Sequence, residues 1–132
     1  MPDLWPADFG KLDDTPPITI LREQADLLAK KTQGIIVATI TSSKMAGPTS
    51  GRDQIRHMFS LTVPTLDNYS YLLMTVSHPI ELYPANVSTH TDESFLANSP
   101  TEFMNVLQKV FAADRTLRVI QSLTASALQP SA

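Results

Sequence analysis

The sequence predicts an α+β domain: one helix, a four-stranded and mostly antiparallel meander, then a C-terminal helical hairpin, in the order α-β-β-β-β-α-α. Three patterns carry that expectation. Apolar residues recur at three- and four-residue spacing between Thr15 and Gly34, β-branched and alternating segments fill 35–89, and the helical rhythm returns in two blocks after Ser99. At 132 residues the chain suits a single domain large enough to bury a core without staples. The expected division is an N-terminal arm at 1–16, the domain at 17–128 and a short tail at 129–132.

The arm is rich in Pro and Asp and carries Leu4, Trp5, Phe9 and Leu12. It holds the one tryptophan of the chain, and exposing two aromatic rings is costly, so the arm is expected to dock on something. The first helix has Thr15 as its expected N-cap, with Pro16 and Pro17 in the first turn. Ile20, Leu21, Ala25, Leu27 and Leu28 form its apolar stripe. Lys30 and Lys31 favour the C-terminal dipole, and Gly34 suits the stop.

Four strands are expected next. Segment 35–42 is β-branched and apolar. A long loop at 44–54, punctuated by Gly47, Pro48 and Gly51, leads to 55–63, which alternates and sets His57, Phe59, Leu61 and Val63 on one face. Segment 69–76 is apolar at both parities. Segment 80–89 completes the set, with Pro84 pointing to an edge or a bulge. A four-residue loop at 65–68 would pair Val63 with Ser70, Leu61 with Leu72 and Phe59 with Met74, because opposed residues share a face. In that register Leu72, Met74 and Val76 join Phe59, Leu61, Val63, Tyr83, Ala85 and Val87 in the main core. Met58, Tyr69, Tyr71, Leu73, Ile80 and Leu82 would then form a second apolar face. Either the first helix and the Trp5–Phe9 arm cover it, or a partner does. The ending reads clearly: Ser99-Pro100-Thr101-Glu102 is a capping-box pattern. Phe103, Val106, Leu107, Val110 and Phe111 form a stripe, and a break at 112–114 precedes a last helix through Leu123.

Composition narrows the chemistry. A net charge of −3 with no Lys/Arg run gives no footprint for nucleic acid or an anionic membrane. The absence of cysteine removes disulfides, thiolate catalysis and Cys-based metal sites. No stretch reads as a secretory signal or a membrane span, so a cytoplasmic protein is expected.

Histidines are the first candidates for chemistry. The hairpin register puts His57 and His78 on one face at the end away from the turn, where each could be a base or a metal ligand. His90 has the opposite parity and falls more than roughly 20 Å away, so a three-histidine site is not expected and the pair reads as strand-end surface residues. Most acids fall on helix surfaces, in the arm or in loops, so no carboxylate pair converges. Ser77 and His78 adjoin in sequence but point to opposite faces, and no nucleophile elbow is present. The 44–54 loop, flanked by Lys44 and Arg52, could cradle an anion but lacks a P-loop ending.

The expectation from these residues is a non-enzymatic protein-binding domain without a cofactor, its partner another protein or a second copy of itself. The candidate surface is Trp5, Phe9, Met58, Tyr69, Tyr71, Leu73 and Leu82. The alternative is a small-molecule-binding protein or minor enzyme with a pocket between sheet and helices near Arg56, His57 and His78, the loop flanked by Lys44 and Arg52 being a further candidate.

Overall fold

Pro16 and Pro17 fix φ where a helix begins, and the chain enters α1 (Pro17–Lys31) there. In this computed structural model, which describes residues 1–11, 14–45, 53–89, 91 and 93–128, the N-cap is Pro16 rather than Thr15 and no side chain caps it. The Thr15 carbonyl instead accepts the Tyr83 hydroxyl at 2.7 Å. The stop falls slightly before the expected Gly34: Thr32 is the C-cap, Gln33 takes the first left-handed φ at +54°, and Gly34 follows at +81° with its N–H bonding Ala29 O at 2.8 Å.

Five strands follow in one antiparallel sheet, in the spatial order of the sequence: β1 (Val37–Met45), β2 (Gln54–Val63), β3 (Tyr69–His78), β4 (Ala85–Thr89) and β5 (Ser94–Ala97). A 3₁₀ turn at Pro64–Leu66 joins β2 to β3. The fifth strand replaces an expected loop; it has only four residues, too few to show a periodicity. Conversely, 80–84 is not strand. Leu82 takes φ +80°, which a strand cannot contain, and pairing resumes only at Ala85.

The β2–β3 register corrects the expected faces. Phe59 does oppose Met74, but Ser60 opposes Leu72, Leu61 opposes Tyr71 and Val63 opposes Tyr69. Leu73 is the extra residue of a β-bulge, and everything between it and the turn changes face. Tyr69, Tyr71 and Leu73 therefore lie on the core side with Leu61 and Val63, while Leu72 moves to the outer side with Met58. Burial agrees: Leu73 and Met74 are both buried, and Leu72 only half so.

Helices α2 (Pro100–Ala112) and α3 (Asp114–Ala127) complete the chain. Ser99 Oγ accepts from Glu102 N at 3.2 Å, while Glu102 Oε1 reaches Asn98 N at 3.1 Å, one residue outside the expected reciprocal bond. Phe103, Val106, Leu107 and Val110 of α2 pack with Ile20 and Leu21 of α1 over Phe59, Leu61, Met74, Val76 and Val87. At the bend, Thr116 Oγ1 donates to Val110 O at 2.6 Å.

All three helices lie on that one face, so the fold has two layers, and neither the first helix nor the arm covers the other face. The outer face needs no second layer because it is largely hydroxylic. Thr39, Thr62 and Ser70 bond side chain to side chain across β1, β2 and β3, at 3.0 and 3.3 Å. No described helix is long and apolar enough to cross a membrane.

Candidate functional site

The β1–β2 and β2–β3 registers set Ser42 opposite His57 and His57 opposite Val76, with His78 two residues further along β3. All three polar side chains share the core face. Both histidines are buried, at 3% and 2% exposure, and are not the surface residues expected. Ser42 is exposed on the edge strand.

The three side chains form one hydrogen-bonded chain. Ser42 Oγ lies 2.7 Å from His57 Nδ1, His57 Nε2 lies 2.9 Å from His78 Nε2, and His78 Nδ1 lies 2.8 Å from Pro79 O. A carbonyl oxygen only accepts, so His78 Nδ1 donates to it. In the neutral ring Nε2 then accepts, so His57 Nε2 donates, and His57 Nδ1 accepts from the Ser42 hydroxyl. One fixed acceptor at the far end sets every proton in the chain. Pro79 O is itself held by Leu82 N at 2.9 Å, in the turn where Leu82 carries its strained positive φ.

Proton counting shows what the chain can hold. One added proton on His57 Nδ1 costs no hydrogen bond, because Ser42 turns from donor to acceptor. A second would set N–H against N–H between the rings. Desolvation, then the charges of His78 and of Arg22 on α1, push His57 down to about 4 from its ordinary 6.5, so His57 is neutral at pH 7. Among the described residues no third His, Cys, Asp or Glu joins the pair to make a metal-ligand set.

A cleft in the helical layer is the second feature. Its volume is about 370 Å³. Phe59, Leu61 and Leu73 form its floor, Leu27 and Leu28 of α1 one wall, and Phe111, Leu117 and Ile120 the other, with Gln24 and Lys31 among its polar lining. A cavity of about 450 Å³ adjoins it at Leu73 and Thr116 and is lined by both signs of charge, Lys109 and Arg115 with Glu93 and Asp114. The cleft exists because α1 and the α2–α3 pair diverge over the sheet, leaving Leu27 and Leu117 nearly half exposed.

The sequence-chosen residues are dispersed. Trp5 and Phe9 pack edge-to-face on each other, centroids 5.9 Å apart, and remain 74% and 77% exposed, so the arm does not cover the sheet. Leu73 reaches the floor of the 370 Å³ cleft, and Tyr71 lines the adjoining cavity. Tyr69 is exposed on the core side, Met58 is on the outer face, and Leu82 is in the 79–84 turn. Arg56 also points to the outer face, away from the histidines, with its Nε buried and unbonded among the described residues. Lys44 pairs with Asp53 at 3.0 Å across the base of the loop. Arg52, the rest of the loop at 46–52, His90 and Asp92 lie outside the described residues. Ser42 escaped sequence reasoning because only the β1–β2 register places it against His57.

No protein-family model, curated protein or solved structure matches this chain.

Proposed function

We propose that this protein is a protein-binding domain that associates with a second copy of itself, the Trp5–Phe9 arm of one protomer entering the helix-layer cleft of the other. The observation that carries the reading is that one molecule holds both halves of an apolar contact and leaves both unmade. The chain carries an exposed Trp/Phe pair and, separately, an unfilled apolar cleft of about 370 Å³. Each ring can bury roughly 150–250 Å². At ~25 cal/mol per Å², that is several kcal/mol of gross gain per arm, part of which ordering the arm consumes. Charge supports the same occupant: Asp3 and Asp8 flank the rings, and Lys31 lines the cleft. Reciprocal exchange closes a two-fold dimer, whereas one-way insertion would build open chains.

Light scattering over a concentration series tests this. The wild type should approach twice the monomer mass, and Trp5→Ala, Phe9→Ala and the cleft-wall variant Leu117→Glu should stay monomeric. A monomer throughout, or a dimer indifferent to all three changes, would sink the proposal.

A second reading has its own support, since the cleft volume falls in the range of about 300–1,000 Å³ typical of small-ligand sites. An apolar small molecule that raises the melting temperature by several degrees in the wild type, and not in Leu117→Glu, would favour it.

A further inference from the structure

We infer that Ser42 is an acyl-accepting nucleophile, with His57 as its general base and His78 as the positioning residue behind it. Hydroxyls elsewhere on this sheet, such as Thr39, Thr62 and Ser70, bond to one another. Among the described residues Ser42 is the one hydroxyl bonded to an imidazole nitrogen. It is exposed while its base is buried, the arrangement a nucleophile needs: access for the substrate and a dry, fixed acceptor for the proton. The His78–Pro79 contact holds the base in the tautomer that accepts from Ser42. Because the pair takes one proton without losing a hydrogen bond, nothing has to rearrange when Ser42 gives its proton up.

The step balances with an ester and water. Ser42 Oγ attacks the carbonyl carbon as its O–H proton passes to His57 Nδ1. The ester C–O bond then breaks, and the leaving alkoxide takes that proton from Nδ1, which leaves the acyl group on Oγ. Water attacks next, gives a proton to Nδ1, and the acid departs as Oγ recovers that proton. β1 is the edge of the described sheet, so among the described residues no strand pairs with its N–H groups that point away from β2, and a carbonyl oxygen approaching there can accept from them. Among the described residues His78, and no carboxylate, is bonded behind the base to stabilise an imidazolium. The substrate class is therefore esters with good leaving groups, not amides.

p-Nitrophenyl acetate with peptide mapping tests the inference, and Ser43 is the internal control. Ser43 is equally exposed and adjacent, yet faces the other side of the sheet with no imidazole. Ser42 should acetylate roughly tenfold or more faster than Ser43. Unfolding in urea should erase the difference, and His57→Gln should remove it in protein whose circular dichroism is unchanged. The charged and titratable groups acting on the base are His78 on β3 and Arg22 on α1. The Ser42 rate should accordingly climb through pH about 4 and level off toward neutrality. Equal labelling of Ser42 and Ser43 in the native protein, no labelling, or a Ser42 rate indifferent to pH between 4 and 7 would overturn it. The urea comparison decides the matter even where His57→Gln fails to fold.

Discussion

Ser42, His57 and His78 come from three adjacent strands, and the Pro79 carbonyl orders the protons on all of them. Burial of His57 links stability to pH, and the sign follows from the direction of its shift. His57 titrates lower in the folded chain than in the unfolded one, so between about 4 and 6.5 the unfolded state binds more protons. The contribution is full above 6.5, falls as pH drops through that window, and is gone below it. Urea denaturation at pH 7.5 and pH 4 should differ by on the order of 2–3 kcal/mol from this group, and His57→Gln should flatten the slope. Burial, then Asp14, raises Tyr83 to about 12, which acts at the opposite end: stability is lost as pH climbs from 10 through 12. At this scale the sequence was only partly legible. That the two histidines share a face could be read from hairpin parity, but their burial and the link to Ser42 could not. Both depend on α1 lying over β1 and on a register that the long 44–54 segment hides.

At the scale of elements, the bulge at Leu73 decides more than any other single feature. Alternation alone cannot reveal it, because 69–76 is apolar at both parities and satisfies either register. Two alanine substitutions separate the registers. Leu73→Ala should cost about 2–4 kcal/mol as a core truncation, and Leu72→Ala less than about 1 kcal/mol, measured by chemical denaturation. An unbulged hairpin would reverse the order. Where a local signal has a local cause, the sequence spoke plainly: Gly34 takes a positive φ in the turn just after α1, and Ser99 caps α2. Ser99→Ala should cost about 1 kcal/mol by the same assay. The fifth strand was missed for a related reason, since Ser94–Ala97 gains its identity from pairing with Asn86 and Val87 rather than from its own pattern.

Across the whole molecule, the α+β class and antiparallel meander followed from the change in hydrophobic period, but the layering did not. Two apolar faces seemed to call for two covers. The bulge moves Tyr71 and Leu73 to the core side, and hydroxyl pairs satisfy the outer face, so one helical layer is enough. The cleft in that layer and the arm that carries Trp5 and Phe9 are both left uncovered. Their mutual fit is the central claim. Because Lys31 and the acidic arm residues contribute, association should weaken as salt rises from about 0.05 to 0.5 M, over which the Debye length falls severalfold.

The fluorescence of Trp5 reads the claim directly, as it is the one tryptophan of the chain. Its emission should shift to the blue, and its quenching by acrylamide should fall, as protein concentration increases, with neither change in Leu117→Glu. Emission that stays at the red, solvent-exposed position at every concentration would contradict the account.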